Sequence, residues 1–192
     1  MFFLRCPSDR LIARFLESSH ALPWSYGPVG LVDGAPGRTV DETVVAIGRG
    51  QADFERARAA LASWQQFALD WVALYPRGAS VSPGTVVTVR VRHLGFWSLN
   101  GCRVVEGRVH DRQLAAVTYG TLTNHAESGE EHFEVRLHPS SGQVTYRIRA
   151  VSWPQAALAR LGAPVVRRLQ ARFRRESAEA MIRATRGQAA RA

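Results

Sequence analysis

Lysine is absent from this chain: all 25 basic residues are arginine. Such one-sidedness follows GC-rich coding before it follows any demand for guanidinium chemistry, so the count alone assigns no partner. Cysteine is scarce, with only Cys6 and Cys102, far apart in the sequence. That excludes a clustered zinc site and a densely bridged secreted scaffold, and leaves two reduced thiols as the expectation. No run of about 18 apolar residues occurs, so no segment is expected to span a membrane. The opening "MFFLRCPSDR" turns polar too soon for a signal peptide, which makes a cytoplasmic location the expectation. "IGRGQADF" holds only two glycines, too few for a phosphate-cradling loop between strand and helix. "GASVSPG" is not a nucleophile elbow, and no serine–histidine–acid set stands out.

What is present suits a folded domain. The 192 residues are 46 % hydrophobic, with 16 glycines and 9 prolines, enough apolar matter for a core. The net charge of +9 is unevenly spread. Residues 154–192 hold nine arginines against Glu176 and Glu179, so +7 sits at that end. One domain over 1–192 is expected: a helix and irregular lead-in to residue 40, a sheet with an inserted helix over 41–153, a C-terminal helix over 154–186, and a frayed tail over 187–192.

The periodicity is explicit. After "FFLRC", a short strand, Ser8 is placed to cap a helix whose apolar positions are Leu11, Ile12, Phe15 and Leu16. Residues 22–38 are rich in proline and glycine and read as an irregular connection. "ETVVAIG" is a strand. "QADFERARAALASWQQF" puts Phe54, Ala57, Leu61, Trp64 and Ala68 on one helical face. From Asp70 to Ser152 the period becomes two and turns recur, which predicts antiparallel hairpins. "GFWSLNG", residues 95–101, reads as a loop between two of these strands. Beyond Trp153-Pro154, the positions Leu158, Leu161, Val165, Leu169, Phe173, Ala180 and Ala184 form the stripe of a long amphipathic helix. The fold class is therefore α+β, a curved antiparallel sheet gripping the C-terminal helix, with a shorter helix after the first strand. A groove between that sheet and helix suits an apolar ligand.

"YGTLTNHAESGEEHFEV", residues 119–135, concentrates histidines and glutamates. Pairing His125 with Glu130 across a tight tip would match Asn124 with Glu131, Leu122 with Phe133 and Gly120 with Val135. That register puts Tyr119, His132, Glu134 and Arg136 on the solvated face, and Asn124 and Glu131 at the rim of the concave one. A carboxylate there must be paired, hydrogen-bonded or shifted in pKa. Glu131 is thus either a tie for the hairpin tip or a ligand contact. His125, Glu130 and His132 are metal-ligand types, but the register does not oppose the two histidines, and no metal or cofactor is implied.

"NGCRVV", "YGTLTNHAESGEEHF", "AVSWP" and "AIGRGQADFERARAALASWQQF" resemble, in order and over nearly the whole chain, the domain-of-unknown-function 1990 family. That resemblance implies a START-like helix-grip fold and brings no settled activity. The ligand-binding candidates are His93, Trp97, Asn100, Asn124, His125, Glu131 and Tyr146. The expected partner is a small hydrophobic or amphipathic molecule. A second reading is a cyclase, dehydratase or hydrolase with Glu131 as general acid or base, and Asn124 or His93 orienting substrate. The third is an electrostatic role for the Arg-rich helix with nucleic acid or an anionic membrane, which ranks below a solvated outer face.

Overall fold

The computed structural model describes residues 1–33, 37, 40–93, 95–154 and 163–187. The elements are β1 (Phe2–Phe3), α1 (Asp9–Ser19), β2 (Asp41–Arg49), α2 (Gly50–Ala62), β3 (Val72–Tyr75), β4 (Val86–His93), β5 (Phe96–Arg108), β6 (Leu114–Thr121), β7 (Glu127–Leu137), β8 (Gln143–Pro154) and α3 (Ala163–Thr185). The sheet runs β2-β8-β7-β6-β5-β4-β3, with every pairing antiparallel. It curls into a half-barrel round α3. β6 meets β5 only from Cys102 onward, which leaves the first half of β5 with a free edge. β1 fills that edge, pairing Phe2 with Ser98 and Phe3 with Trp97. Among the described residues no helix is long and apolar enough to cross a membrane.

The two faces of the sheet are covered by different helices. α1 starts where Ser8 accepts the Leu11 N–H at 3.4 Å, as its cap position predicts. Its Ile12 and Phe15 bury against Leu99, with Phe3 and Tyr75 beside them, on the convex side. α2 and α3 cover the concave side. Phe54, Ala57 and Leu61 are fully buried, so that part of the stripe read from sequence is the packed one, whereas Ala68, expected on the same face, lies beyond the helix and is exposed. Trp64 lies past the end of α2 with φ +60°, and its indole N–H donates to the Ala79 carbonyl at 2.9 Å.

α3 is fastened over its C-terminal half. Met181 is fully buried, and Tyr146 and Ser177 share a hydroxyl hydrogen bond of 2.9 Å in the core. Arg56 of α2 donates to the Thr185 carbonyl at 2.6 Å, satisfying an otherwise orphan helix-end oxygen. Tyr146→Phe should lower the unfolding free energy by about 1–2 kcal/mol, because the Ser177 hydroxyl then stays buried without a partner. A denaturant titration showing no change would remove this bond from the account of how α3 is held. Ala180 is buried, and Leu169, Phe173 and Ala184 pack on the core. Leu158, Leu161, the Val165 side chain and the tail from residue 188 lie outside the described residues.

Two readings of the sequence are corrected. "GFWSLNG" is no loop: residues 96–101 are the first half of β5. Its alternation is inverted, with Ser98 and Asn100 opposite Val91 and Val89 on the concave side. Leu99 points out beneath α1. Polar-in, apolar-out reads as irregular when each face is assumed to have one partner.

The β6–β7 register is also five residues from the expected one. Gly120 faces Glu130, Tyr119 faces Glu131 and Val117 faces Phe133. The connection is broad rather than tight. Leu122 N–H bonds the Gly101 carbonyl, and Ala126 N–H bonds Asn100 Oδ1 at 3.3 Å. An odd shift swaps the faces of β6, so Tyr119 points in and Gly120 out. A Cβ on Gly120 would stand 1.9 Å from the Tyr26 hydroxyl, which is why the lead-in can lie flat there. β7 keeps its expected facing, with His132 meeting Thr118 and Arg149 on the convex side.

Candidate functional site

Between the sheet and the N-terminal half of α3 lies a cavity of about 560 Å³. β4 and β5 supply Val89, Val91, Ser98 and Asn100; α3 supplies Leu169, Gln170, Phe173 and Arg174. Phe67 and Trp71, from the segment after α2, close one end, and Phe2, His93 and Phe96 form a rim at the β4–β5 tip. Phe67 packs on Phe173 and Phe133 with ring centres 5.2 and 5.6 Å apart, making an aromatic floor. Trp71 is held by its N–H to Glu176 at 2.6 Å, with the Arg172 guanidinium 4.6 Å above the ring.

A few polar groups converge on this apolar space. Glu131, on β7, is partly buried and presents its carboxyl to the cavity. Its Oε2 accepts the Tyr119 hydroxyl at 2.5 Å, and no protein group bonds Oε1 among the described residues. Burial drives its pKa up to about 7; the Tyr119 bond opposes the rise, the Glu127 charge adds to it, and Arg174 opposes it. Arg174 itself stands 3.6 Å from Asp41. His125 Nδ1 is bound to the Glu127 backbone, 2.9 Å from its nitrogen and 3.0 Å from its carbonyl oxygen. Burial takes that imidazole down to about 4 and keeps it neutral. Gln170 donates to both Glu127 oxygens, at 3.0 and 3.1 Å, and to Ser152 at 3.0 Å, which ties α3 to the rim. Burial raises the Glu127 pKa and the Gln170 bond counters it.

The structure brings Glu131, His125, His93 and Asn100 to the cavity wall. His93 shares a 2.7 Å hydrogen bond with Ser98 and stacks on Phe96, and burial lowers its pKa. Asn100 is spent on structure, donating to Val89 O and Ser98 Oγ and accepting from Ala126. Three candidates lie elsewhere. Trp97 is on the convex face, under Arg90 and Arg92. Asn124 points to α1, donating to Ser19 Oγ at 2.8 Å, and so cannot orient anything beside Glu131. Tyr146 faces inward but is sealed under Ser177, away from the cavity.

Sequence reasoning missed Tyr119, Gln170 and Arg174. Tyr119 was recoverable from the true register alone, and the other two from their spacing around Phe173. The potential metal set is split, since Glu130 and His132 face the convex side while His125 faces the cavity. Glu130 instead holds the lead-in: Tyr26 O–H, Gly30 N–H and Val32 N–H donate to its carboxylate at 2.8, 2.7 and 3.3 Å. On α3, Arg172 pairs with Glu176 at 2.7 Å and Arg175 with Glu179 at 4.0 Å, while Arg167, Arg168 and Arg183 are exposed and have no ion pair among the described residues.

A curled antiparallel sheet closed by a C-terminal helix over a mostly apolar cavity defines a helix-grip fold. Solved structures show the same fold. Hypothetical protein jhp0584 from Helicobacter pylori superposes with a TM-score of 0.57 at 11 % identity, covering 86 % of this chain and 99 % of that one. Norcoclaurine synthase from Thalictrum flavum, in complex with dopamine and hydroxybenzaldehyde, gives 0.51 at 7 % identity, covering 86 % and 96 %. The chain belongs to the family described as Domain of unknown function (DUF1990), which matches residues 25–180. A "UPF0548 protein" of Dictyostelium discoideum is 31 % identical over 206 residues, covering 96 % of this chain and 95 % of its own.

Proposed function

We propose that the protein binds a small amphipathic molecule between the sheet and α3. The apolar body would rest on Phe67, Trp71 and Phe173, with the polar end at Glu131 and His125. The supporting observation is the cavity itself: about 560 Å³ of largely apolar space with an unpaired carboxyl oxygen turned into it. Sites for small molecules have this size and this sparse polarity. Norcoclaurine synthase, on the same fold, accommodates two small aromatic molecules. Saturating ligand, at about 100 times its dissociation constant, should add roughly 2.7 kcal/mol of stability and raise the melting temperature by several degrees. Panels of fatty acids, aromatic polyketides and aryl amines test this, with Ala150→Phe as a variant that fills the space. Absence of any shift across these classes, or shifts that survive Ala150→Phe, would refute the site.

One observation favours a catalytic version of this reading. A carboxyl group with a pKa of about 7 exchanges protons readily at neutral pH, and Glu131 has an oxygen free to do so. Glu131 would then be the general acid or base, with the neutral His125 imidazole beside it at the cavity wall. Glu131→Gln should lower turnover by ~10²–10⁴-fold while ligand still binds. Turnover that persists in this variant would leave binding as the whole function.

A further inference from the structure

We propose that the edge built from β1 and the β4–β5 hairpin docks the protein on an anionic lipid bilayer, with the cavity rim turned toward the lipid. Two independent features coincide there. The first is exposed apolar surface. Leu4 is 89 % exposed, Met1 59 % and Phe2 45 %, and only Val29 and Val44 are comparable among the described residues. Phe2 is both rim and surface, packed 5.8 Å from Phe96 and 6.2 Å from His93 at the mouth of the cavity. Pairing of β1 with β5 fixes these residues at the hairpin tip.

The second feature is unneutralised positive charge. Arg5, Arg77, Arg90 and Arg92 have no acidic partner within ion-pair distance among the described residues, unlike Arg172, Arg174 and Arg175. Arg77, Arg90 and Arg92 are set by aromatic rings instead. Arg90 lies 5.1 Å from the Trp97 ring centre and 5.4 Å from that of Tyr75, Arg92 is 5.8 Å from Trp97, and Arg77 is 5.9 Å from Tyr75. Stacking spreads the guanidinium groups over a flat face; Arg92 is exposed there, whereas Arg90 is partly buried and donates to Cys6 Sγ at 3.6 Å. Apolar side chains that can enter the acyl boundary, beside arginines level with the headgroups, are the elements of interfacial binding. A nucleic acid would use the arginines but leave Met1, Phe2 and Leu4 facing water, so the bilayer accounts for more of the surface. The docking surface is separate from the Arg-rich helix and independent of what the cavity holds.

The test is co-sedimentation of the full chain with phosphatidylcholine vesicles, with and without phosphatidylglycerol, beside a duplex oligonucleotide. Binding should require phosphatidylglycerol and weaken with salt. An arginine near an anionic surface contributes about fivefold, so Arg92→Glu, which changes two charges, should weaken binding about 25-fold. Leu4→Asp should weaken it at least tenfold even at low salt. Both positions are exposed, and unchanged melting temperatures would confirm that the variants fold. No binding to the anionic vesicles, or binding that both variants leave intact, overturns the proposal. Duplex binding lost in Arg92→Glu, without vesicle binding, overturns it in favour of nucleic acid.

Discussion

Glu131→Gln should be more stable than the parent chain at pH 8.5, by on the order of 3 kcal/mol, and no more stable at pH 4. The sign follows from the raised pKa. In the unfolded chain the carboxyl titrates near 4.5; in the fold it titrates near 7. Between those values the folded protein holds a proton that the unfolded chain has released. Stability is therefore full below about 4.5, declines as the pH rises, and levels off above 7. The size of the decline is the difference in proton affinity expressed as free energy. A glutamine can still accept the Tyr119 hydroxyl but never ionises, so it escapes the decline. The raised Glu127 carboxyl leaves a weaker slope of the same sign. Denaturant midpoints for both proteins across this range provide the measurement. Parallel curves would show that Glu131 is already solvated or paired with a cation, and would remove the basis for its acid–base role.

Glu130→Ala should act in the opposite direction, lowering stability at neutral pH by roughly 2–4 kcal/mol. The neighbouring carboxylate is 2 % exposed and gathers one hydroxyl and two backbone N–H groups from the lead-in. Alanine strands those donors under the Trp24–Tyr26–Trp153 aromatic cover, and only part of the loss is recovered by water. Glu130→Gln should fall between, since an amide oxygen can accept two of the three bonds. Protection of the Gly30 and Val32 amides from hydrogen exchange should disappear in the alanine variant. An alanine variant as stable as the parent would mean that the lead-in is held elsewhere.

These two adjacent glutamates show what the sequence could and could not convey. Alternation along β7 was legible, because Phe133 and Val135 mark one face and His132, Glu134 and Arg136 the other, so Glu131 was placed inward from pattern alone. β6 carries alanine and threonine on both faces, with an aliphatic residue on each (Val117 inward, Leu114 outward), and such a strand does not specify its own register. The error moved Tyr119 outward and brought Asn124 beside Glu131. β5 failed for a related reason: its polar side chains face a cavity and its apolar ones face α1. The elements of ordinary amphipathicity, α1, α2 and β8, were recovered because each has one wet side and one packed side; β4 was recovered from its valine alternation although its outward Thr88 is fully buried. The convex aromatic–arginine layer was invisible, since its residues come from β3, β4 and β5 and meet only across the pairing.

The attachment of α3 has a consequence for what the cavity can hold. Tyr146–Ser177, Met181 and the Arg56–Thr185 bond all grip the second half of the helix, whereas Leu169, Gln170 and Phe173 line the open space. The helix is therefore rooted in the core at its second half, while its first half is tied to the sheet by polar bonds from Gln170 to Glu127 and Ser152. A guest that displaces Gln170 must satisfy the groups it leaves, so selectivity falls to the chemistry at the wall rather than to girth.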